Sequence, residues 1–357
     1  MANYDLSNLA LKATCPGNSI LLDDKGLPSI MVRIPKFKIS DVITGGSSGT
    51  HPAFIVNGVE VPEIYISKFQ NVVYNGRAYS LPGEDPKASI NFDTARAACE
   101  AKGAGWHIMT NAEWAAIALW CRKNSLMPKG NNSYGKDTTE STVVAIPTSD
   151  QNGAAYTGTT IGRVATGTGP VAWSHNGQVT GIWDLNGNVW EWMGGYRTVG
   201  GEIQILANND AADLDNPQND TSAKWMALLE DGTLVAPGTA NTLKWDYPAT
   251  NVITLSKTIT VQADASRGTE FKNLAKAADV AAVPEILKAL GLYPADTGDH
   301  GGDYFYMNNG AGLERLAYRG GGWGSTSGAG VFYLGGAHPR SYVGTNLGFR
   351  SAFIPGI

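Results

Sequence analysis

Over residues 32–39 apolar and polar side chains alternate, as in a strand with one buried face. Pro35 within that run predicts an edge position or a bulge. Two short apolar runs, 53–56 and 59–61, flank Asn57-Gly58, a pair suited to the positive φ angles of a tight hairpin turn. Alternation resumes over 63–69. Residues 1–50 therefore read as an N-terminal region of short strands, with Gly45-Gly46-Ser47-Ser48-Gly49 as an exposed loop.

The period then becomes helical. Phe92, Ala95 and Cys99 make a narrow apolar stripe over 92–102, with Asn91 or Asp93 as N-cap and Gly103 past the end. A second helix starts at Thr110 and ends near Asn124. Its Thr110-Asn111-Ala112-Glu113 opening is a capping box, and Trp114, Ile117, Ala118 and Cys121 form its buried face. Residues 125–180, rich in Gly, Asn, Ser and Thr, read as long ordered loops. From about 198 to 310 the composition shifts toward Asp, Ala and Lys, with a strand-like 252–261 and a helical 283–290. This segment reads as an insertion. The last forty residues return to glycine and aromatics.

The chain has 357 residues, enough for two or three domains or one domain with large insertions. Its 44 glycines exceed average usage of about 7% and follow no triplet period, which excludes collagen. Ten tryptophans and fourteen tyrosines exclude a disordered chain. The charged share is only 17%, so much of the backbone must be held by packing. The net charge is −5 with no block of Lys or Arg, which argues against nucleic acid as a partner. No apolar run reaches the length of a membrane span. Residues 1–20 lack the basic start and apolar run of a signal peptide. Cys15, Cys99 and Cys121, odd in number and widely spaced, read as buried thiols from a reducing compartment.

Four motifs in order carry a resemblance. They are Asn91-Phe92-Asp93-Thr94-Ala95-Arg96-Ala97-Ala98-Cys99 followed by Thr110-Asn111-Ala112-Glu113-Trp114; Gly187-Asn188-Val189-Trp190-Glu191-Trp192; Arg319-Gly320-Gly321-Gly322-Trp323; and Gly348-Phe349-Arg350. Together they resemble the formylglycine-generating-enzyme family, a glycine-rich variant of the C-type lectin fold. The resemblance implies an α+β chain with two helices, short strands, many ordered loops and an insertion. It places a family domain over 51–357, interrupted at about 198–310.

The stretch 319–350 also resembles the variable region of retroelement-diversified proteins, phage tropism determinants among them. In such systems randomised adenines sit mostly in Asn-type codons, and changing the first two bases of those never gives Lys, Glu, Gln, Met or Trp. Residues 319–357 contain no Lys, Glu, Gln or Met, and their single Trp, Trp323, falls where the pattern expects fixed core. By the pattern, the variable ligand-binding positions are Gly322, Gly324, Ser325, Gly328, Tyr333, Gly335, Ala337, His338, Tyr342, Gly344, Thr345 and Asn346. Tyr, Ser, Gly and Asn are also favoured in antibody paratopes. Arg319, Trp323, Arg340 and Arg350, with Gly320, Gly321 and Gly348, read as scaffold.

Enzymes of the resembled family carry two cysteines just after the Arg-Gly-Gly motif. The matching positions here are about Ser325 and Gly330, and no cysteine follows Cys121. The related iron-dependent sulfoxide synthases need a His cluster, whereas His51, His107, His175, His300 and His338 lie scattered. The expectation is therefore a non-catalytic binding protein with no cofactor. One metal alternative is calcium, held by Asp184, Asn186 or Asn188 and Glu191. Against it stands the plainer reading, in which Trp190 and Trp192 bury on one face while Glu191 points away or caps amides. The resemblance implies a protein or glycan receptor on a cell surface as partner, with other virion proteins and further copies of the chain as assembly partners. It implies a phage-tail location, or a bacterial cell surface as the alternative. Two other functions stay open: an oxidoreductase of the formylglycine-generating or sulfoxide-synthase type, and a glycan-binding lectin of fixed specificity.

Overall fold

The computed structural model describes residues 4–357. Two sheets organise them. The smaller has five strands, in the order Asn18–Leu22, Pro28–Pro35, Glu63–Ser67, Ser351–Phe353 and Trp106–Ile108. The C-terminal strand thus lies inside this sheet, between Tyr65-Ile66 and the Trp106–Ile108 strand. The pairing also crosses the expected boundary at residue 50, because the N-terminal strands bond to Glu63–Ser67.

The larger sheet has twelve strands. At its centre Glu314–Gly320 runs antiparallel to both of its neighbours, Gly330–His338 and Trp190–Val199. Leu347–Phe349 adds in parallel to the Trp190–Val199 strand. Residues of the expected insertion extend this sheet on both sides. Glu202–Ile205 continues beyond Trp190–Val199, and Tyr304–Met307 lies parallel to Gly330–His338. Trp245, Leu255, Phe271 and Leu287 share one buried cluster with Phe54, Ile64 and Trp114. The insertion is therefore built into the common core.

Both family helices form. The helix Phe92–Glu100 is capped by Asn91, whose side chain accepts the Thr94 amide at 2.9 Å. The helix Asn111–Lys123 carries the capping box in full. Thr110 Oγ1 accepts the Glu113 amide at 3.2 Å, and Glu113 Oε2 accepts the Thr110 amide at 3.0 Å. This second helix is buried nearly all round, and Trp114 Nε1 donates to the Val331 carbonyl at 2.7 Å, which ties it to the central sheet.

Several local expectations change. Residues 5–14 form a helix, Asp5–Thr14, where short strands were expected. Leu6 and Leu9 sit at helical spacing, but the helix buries none of its residues, so its apolar signal is weak. Pro35 ends an interior strand, because its missing amide falls at the last ladder position, opposite Glu63. The expected strand at 252–261 shortens to Thr254–Ser256, and the expected helix at 283–290 to Glu285–Ala289, which starts directly after Pro284. Cys99 and Cys121 are buried thiols, whereas Cys15 is half-exposed.

Between residues 124 and 189 the only named element is the short turn Val171–Trp173, as the loop-rich reading expected. Buried Asn188 holds much of this region. Its Oδ1 accepts from Asn131 Nδ2 at 3.1 Å and from the Val164 amide at 2.9 Å. Its Nδ2 donates to Gln70 Oε1 at 2.9 Å and to the Val164 carbonyl at 3.2 Å. Three loops are thereby bound to one fully satisfied side chain. Among the described residues no helix is long and apolar enough to cross a membrane.

Candidate functional site

The motif residues expected to be scaffold are buried and interlocked. Glu191 is fully buried and forms a two-point ion pair with Arg350, Nε to Oε2 at 2.6 Å and Nη2 to Oε1 at 2.7 Å. Gln70 Nε2 donates to the same carboxylate at 3.0 Å. Arg350 also reaches the carbonyls of Ser67 and Trp183, each at 3.0 Å. One pair of side chains thus bolts the two sheets together. Arg319 is equally buried and donates to Asn111 Oδ1 at 2.6 Å and to the Gly291 carbonyl at 3.0 Å. Trp323 packs on Ala88 and Val189. Arg340 bridges Glu314 and Asp93.

This geometry corrects the reading of the Trp-Glu-Trp stretch. Glu191 neither points to solvent nor caps amides; it neutralises Arg350. Trp192 is fully buried against Phe92 and Tyr318. Trp190 is only half-buried and faces an open cavity.

That cavity, about 360 Å³, is lined by Trp190, Ser266, Tyr304, Tyr306, Tyr318, Gly324, Ser325, Gly328, Tyr333 and His338. Tyr342 closes one edge by stacking on His338, with ring centroids 3.7 Å apart and planes 3° from parallel. Trp190 and Tyr333 stack at 6.1 Å, and Tyr304 and Tyr306 at 5.6 Å. Six of the expected variable positions therefore converge here: Gly324, Ser325, Gly328, Tyr333, His338 and Tyr342.

The others do not join them. Gly335 is buried, and a Cβ there would fall inside the Tyr318 ring, so this glycine is required by packing. Ala337 is buried within the same strand. Gly322 is buried too, its amide donating to Ser325 Oγ at 3.0 Å. Gly344, Thr345 and Asn346 lie elsewhere, with their carbonyls held by the Ser89 amide, Arg163 Nη1 and the Trp190 amide. For Gly335, Ala337 and Gly322 the expectation of an exposed, variable surface position does not hold: each backbone is packed inside.

Half of the cavity wall was not anticipated from sequence. Tyr304, Tyr306 and Ser266 come from the insertion, and Tyr318 and Trp190 from neighbouring strands. A signal existed in Tyr304-Phe305-Tyr306-Met307: Phe305 and Met307 face the core, so the two tyrosines share the opposite, half-exposed face.

The cavity is electrically neutral. Among the described residues no Asp, Glu, Lys or Arg lines it. Burial, aided by the nearby Arg315 charge, pushes the His338 imidazole down to about 4, so it is uncharged at neutral pH. Burial also raises the Tyr306, Tyr318 and Tyr333 phenols above their ordinary range.

The positions that would carry thiols in the resembled enzymes are occupied otherwise. Ser325 Oγ accepts the Gly322 amide. Gly330 begins its strand at φ 154°, and a Cβ there would collide with the buried Asp303 carboxylate. Asp303 in turn accepts the Phe332 amide at 2.7 Å, and burial raises its carboxyl well above the usual range. The histidines stay apart. His51 contacts the Ala289 carbonyl, His107 the Glu113 carboxylate, and His175 accepts the Ile182 amide. Of the calcium candidates, Asn186 and Asn188 spend their side-chain oxygens on Asn132, Asn131 and Val164, and Glu191 on Arg350 and Gln70. Asp184 Oδ2 accepts the Gly167 amide at 3.0 Å, while Oδ1 is buried without a partner. Burial pushes this carboxyl up to about 6. Among the described residues no group of three His, Cys, Asp or Glu side chains is placed to hold a metal ion.

The family model of the sulfatase-modifying factor enzyme 1-like domain matches residues 12–227, more than half of the chain. The chain belongs to that family. As a sulfatase-modifying-factor-like domain it has the α+β, C-type lectin-like architecture that its motifs imply. The match ends within the strand Met226–Leu228, and the C-terminal strands re-enter both sheets after the rest of the insertion. Comparison with curated proteins returns no match. Solved structures similar to this domain include Treponema denticola variable protein 1, at 14% identity and TM-score 0.32, covering 95% of this chain and 100% of that one. PvdO from Pseudomonas aeruginosa is similar at 13% identity and TM-score 0.32, with 95% and 98% covered. The Major Tropism Determinant U1 variant is similar at 10% identity and TM-score 0.31, with 94% and 71% covered.

Proposed function

We propose that this protein is a non-catalytic ligand-binding protein, with a retroelement-diversified surface at 322–346 that serves a phage in receptor binding at the virion. The cavity carries this reading. Six positions of the expected variable set meet at one concave site, against aromatic rings that lie outside that segment. A repertoire drawn at 324, 325, 328, 333, 338 and 342 would change one half of the wall and leave Trp190, Tyr304, Tyr306 and Tyr318 in place. The site sits on strands held by buried ion pairs, so its loops can vary without loosening the frame. Ser325 and Gly330, where the resembled enzymes have cysteine, speak against thiol chemistry.

Sequencing the gene with its flanks tests the reading. The expected result is a near-identical repeat of the 319–350 coding stretch that differs at adenines, beside a reverse transcriptase gene. A repeat without adenine-specific differences, or no repeat at all, overturns the diversification.

A further inference from the structure

The assignment that follows rests on the cavity being the binding site. We propose that it receives an uncharged, polyhydroxylated ring, a neutral saccharide unit, stacked against the aromatic wall.

Charge is the first argument. The aromatic faces repel an anion, and no Lys or Arg lines the cavity to offset this. A cation would meet the favourable side of the rings, but no carboxylate lines the cavity and the field of Arg315 already disfavours positive charge at His338. His338 packs against the rings of Tyr318, Tyr342 and Trp190. A neutral guest remains.

Hydrogen-bonding capacity is the second argument. Tyr333 is 3% exposed, lines the cavity, and its hydroxyl has no partner among the described residues. The Trp190 indole N–H goes further, being itself fully buried and unpartnered. The Tyr304 and Tyr306 hydroxyls are also without partners among the described residues. Buried polar atoms are rarely left unpaired in native proteins. An aromatic or aliphatic guest would leave the Trp190 N–H unpaired and would cut the tyrosine hydroxyls off from water without replacing it. A ring carrying hydroxyls on its edge and C–H bonds on its face satisfies both the donors and the stacking surfaces. The volume, about 360 Å³, lies at the lower end of the range of about 300–1,000 Å³ for small-molecule pockets.

The experiment is a broad array of neutral glycans probed with the full chain, followed by calorimetry on the strongest hit. Tetramethylammonium chloride and N-acetyltyrosinamide serve as the cationic and aromatic probes. The expected result is binding of at least one neutral glycan and of neither control. Tyr306→Phe and Tyr333→Phe keep the rings and remove the hydroxyls, and each should weaken that glycan by about 2–10-fold. A blank array, tighter binding of either control, or unchanged glycan affinity in both Phe variants overturns the saccharide assignment. Adsorption of the labelled protein to bacterial cells separates this failure from that of the site. If Tyr306→Ala, folded by near-ultraviolet circular dichroism, loses adsorption while the array is blank, the site stands and the saccharide falls. If Tyr306→Ala and Tyr342→Ala adsorb like the parent, the site itself is wrong and the assignment falls with it.

Discussion

Replacing Glu191 by Gln removes one charge from the centre of the molecule at almost constant volume. Both carboxylate oxygens accept from Arg350, at 2.6 and 2.7 Å, and Oε1 also accepts from Gln70 at 3.0 Å. A glutamine presents an NH₂ group where one of these acceptors stood, so a donor faces a donor. Arg350 is fully buried and has no other carboxylate beside it among its hydrogen-bond partners, Ser67 and Trp183 being backbone contacts. Breaking a buried ion pair from one side costs about 3–5 kcal/mol, because an uncompensated charge remains. At roughly 2 °C per kcal/mol for a large domain, Tm should fall by roughly 6–10 °C. Urea denaturation of Glu191→Gln, Arg350→Met and the double variant measures this directly. The double variant should lose less than the sum of the singles, by about 1–3 kcal/mol, since the unpaired charge is gone. A loss below about 1 kcal/mol in Glu191→Gln, or strictly additive singles, would refute the idea that this pair joins the sheets.

Four further outcomes follow from the same contacts. Trp323→Ala should destabilise by about 3–5 kcal/mol, since the ring is buried against Ala88 and Val189. Tyr342→Ala should cost only about 0.5–1.5 kcal/mol, the worth of its stack on His338, while ligand capture is lost; equal melting of the two variants would place Tyr342 in the core. Gly335→Ala should destabilise by about 1–3 kcal/mol through overpacking on Tyr318, and Tyr318→Ala in the same chain should absorb part of that cost; a neutral Gly335→Ala by thermal melting would show the position to be free. Burial holds the His51 and His175 imidazoles down at about 4, so between about 6.5 and 4 the unfolded chain takes up protons that the folded one does not. Stability should therefore fall as pH drops through that window, by up to about 1.4 kcal/mol per unit for each group, and His51→Gln should flatten the slope. An unchanged slope in urea titrations would remove His51 from the account.

Local signals in the sequence were reliable where the structure itself is local. Thr110 and Glu113 are three residues apart, and their capping box forms as read. Asn57-Gly58 turns the hairpin with φ of 50° and 77°. What stayed hidden depends on contacts between distant residues. Glu191 meets Arg350 across 159 positions, so neither residue alone revealed a buried pair. Gly335 looked like an exposed draw from a small-residue codon set; only the Tyr318 ring above it, on the neighbouring strand, shows why it must be glycine. Tyr304 and Tyr306 reach the cavity because their strand lies parallel to Gly330–His338, a pairing between segments that no short-range pattern announces. The helix Asp5–Thr14 was missed for the opposite reason, since it buries nothing and so lacks a strong apolar stripe.

The most direct test of the binding account is selection from a displayed library. Positions 324, 325, 328, 338 and 342 are randomised while Trp190, Tyr304, Tyr306 and Tyr318 are held, and the library is panned against bacterial cells. The account predicts that most members fold and that binders of altered specificity emerge. It also predicts that replacing Tyr304 and Tyr306 by Ala throughout the library abolishes their recovery. Equal recovery of binders from that Ala library would contradict the claim that this aromatic cavity is the binding site.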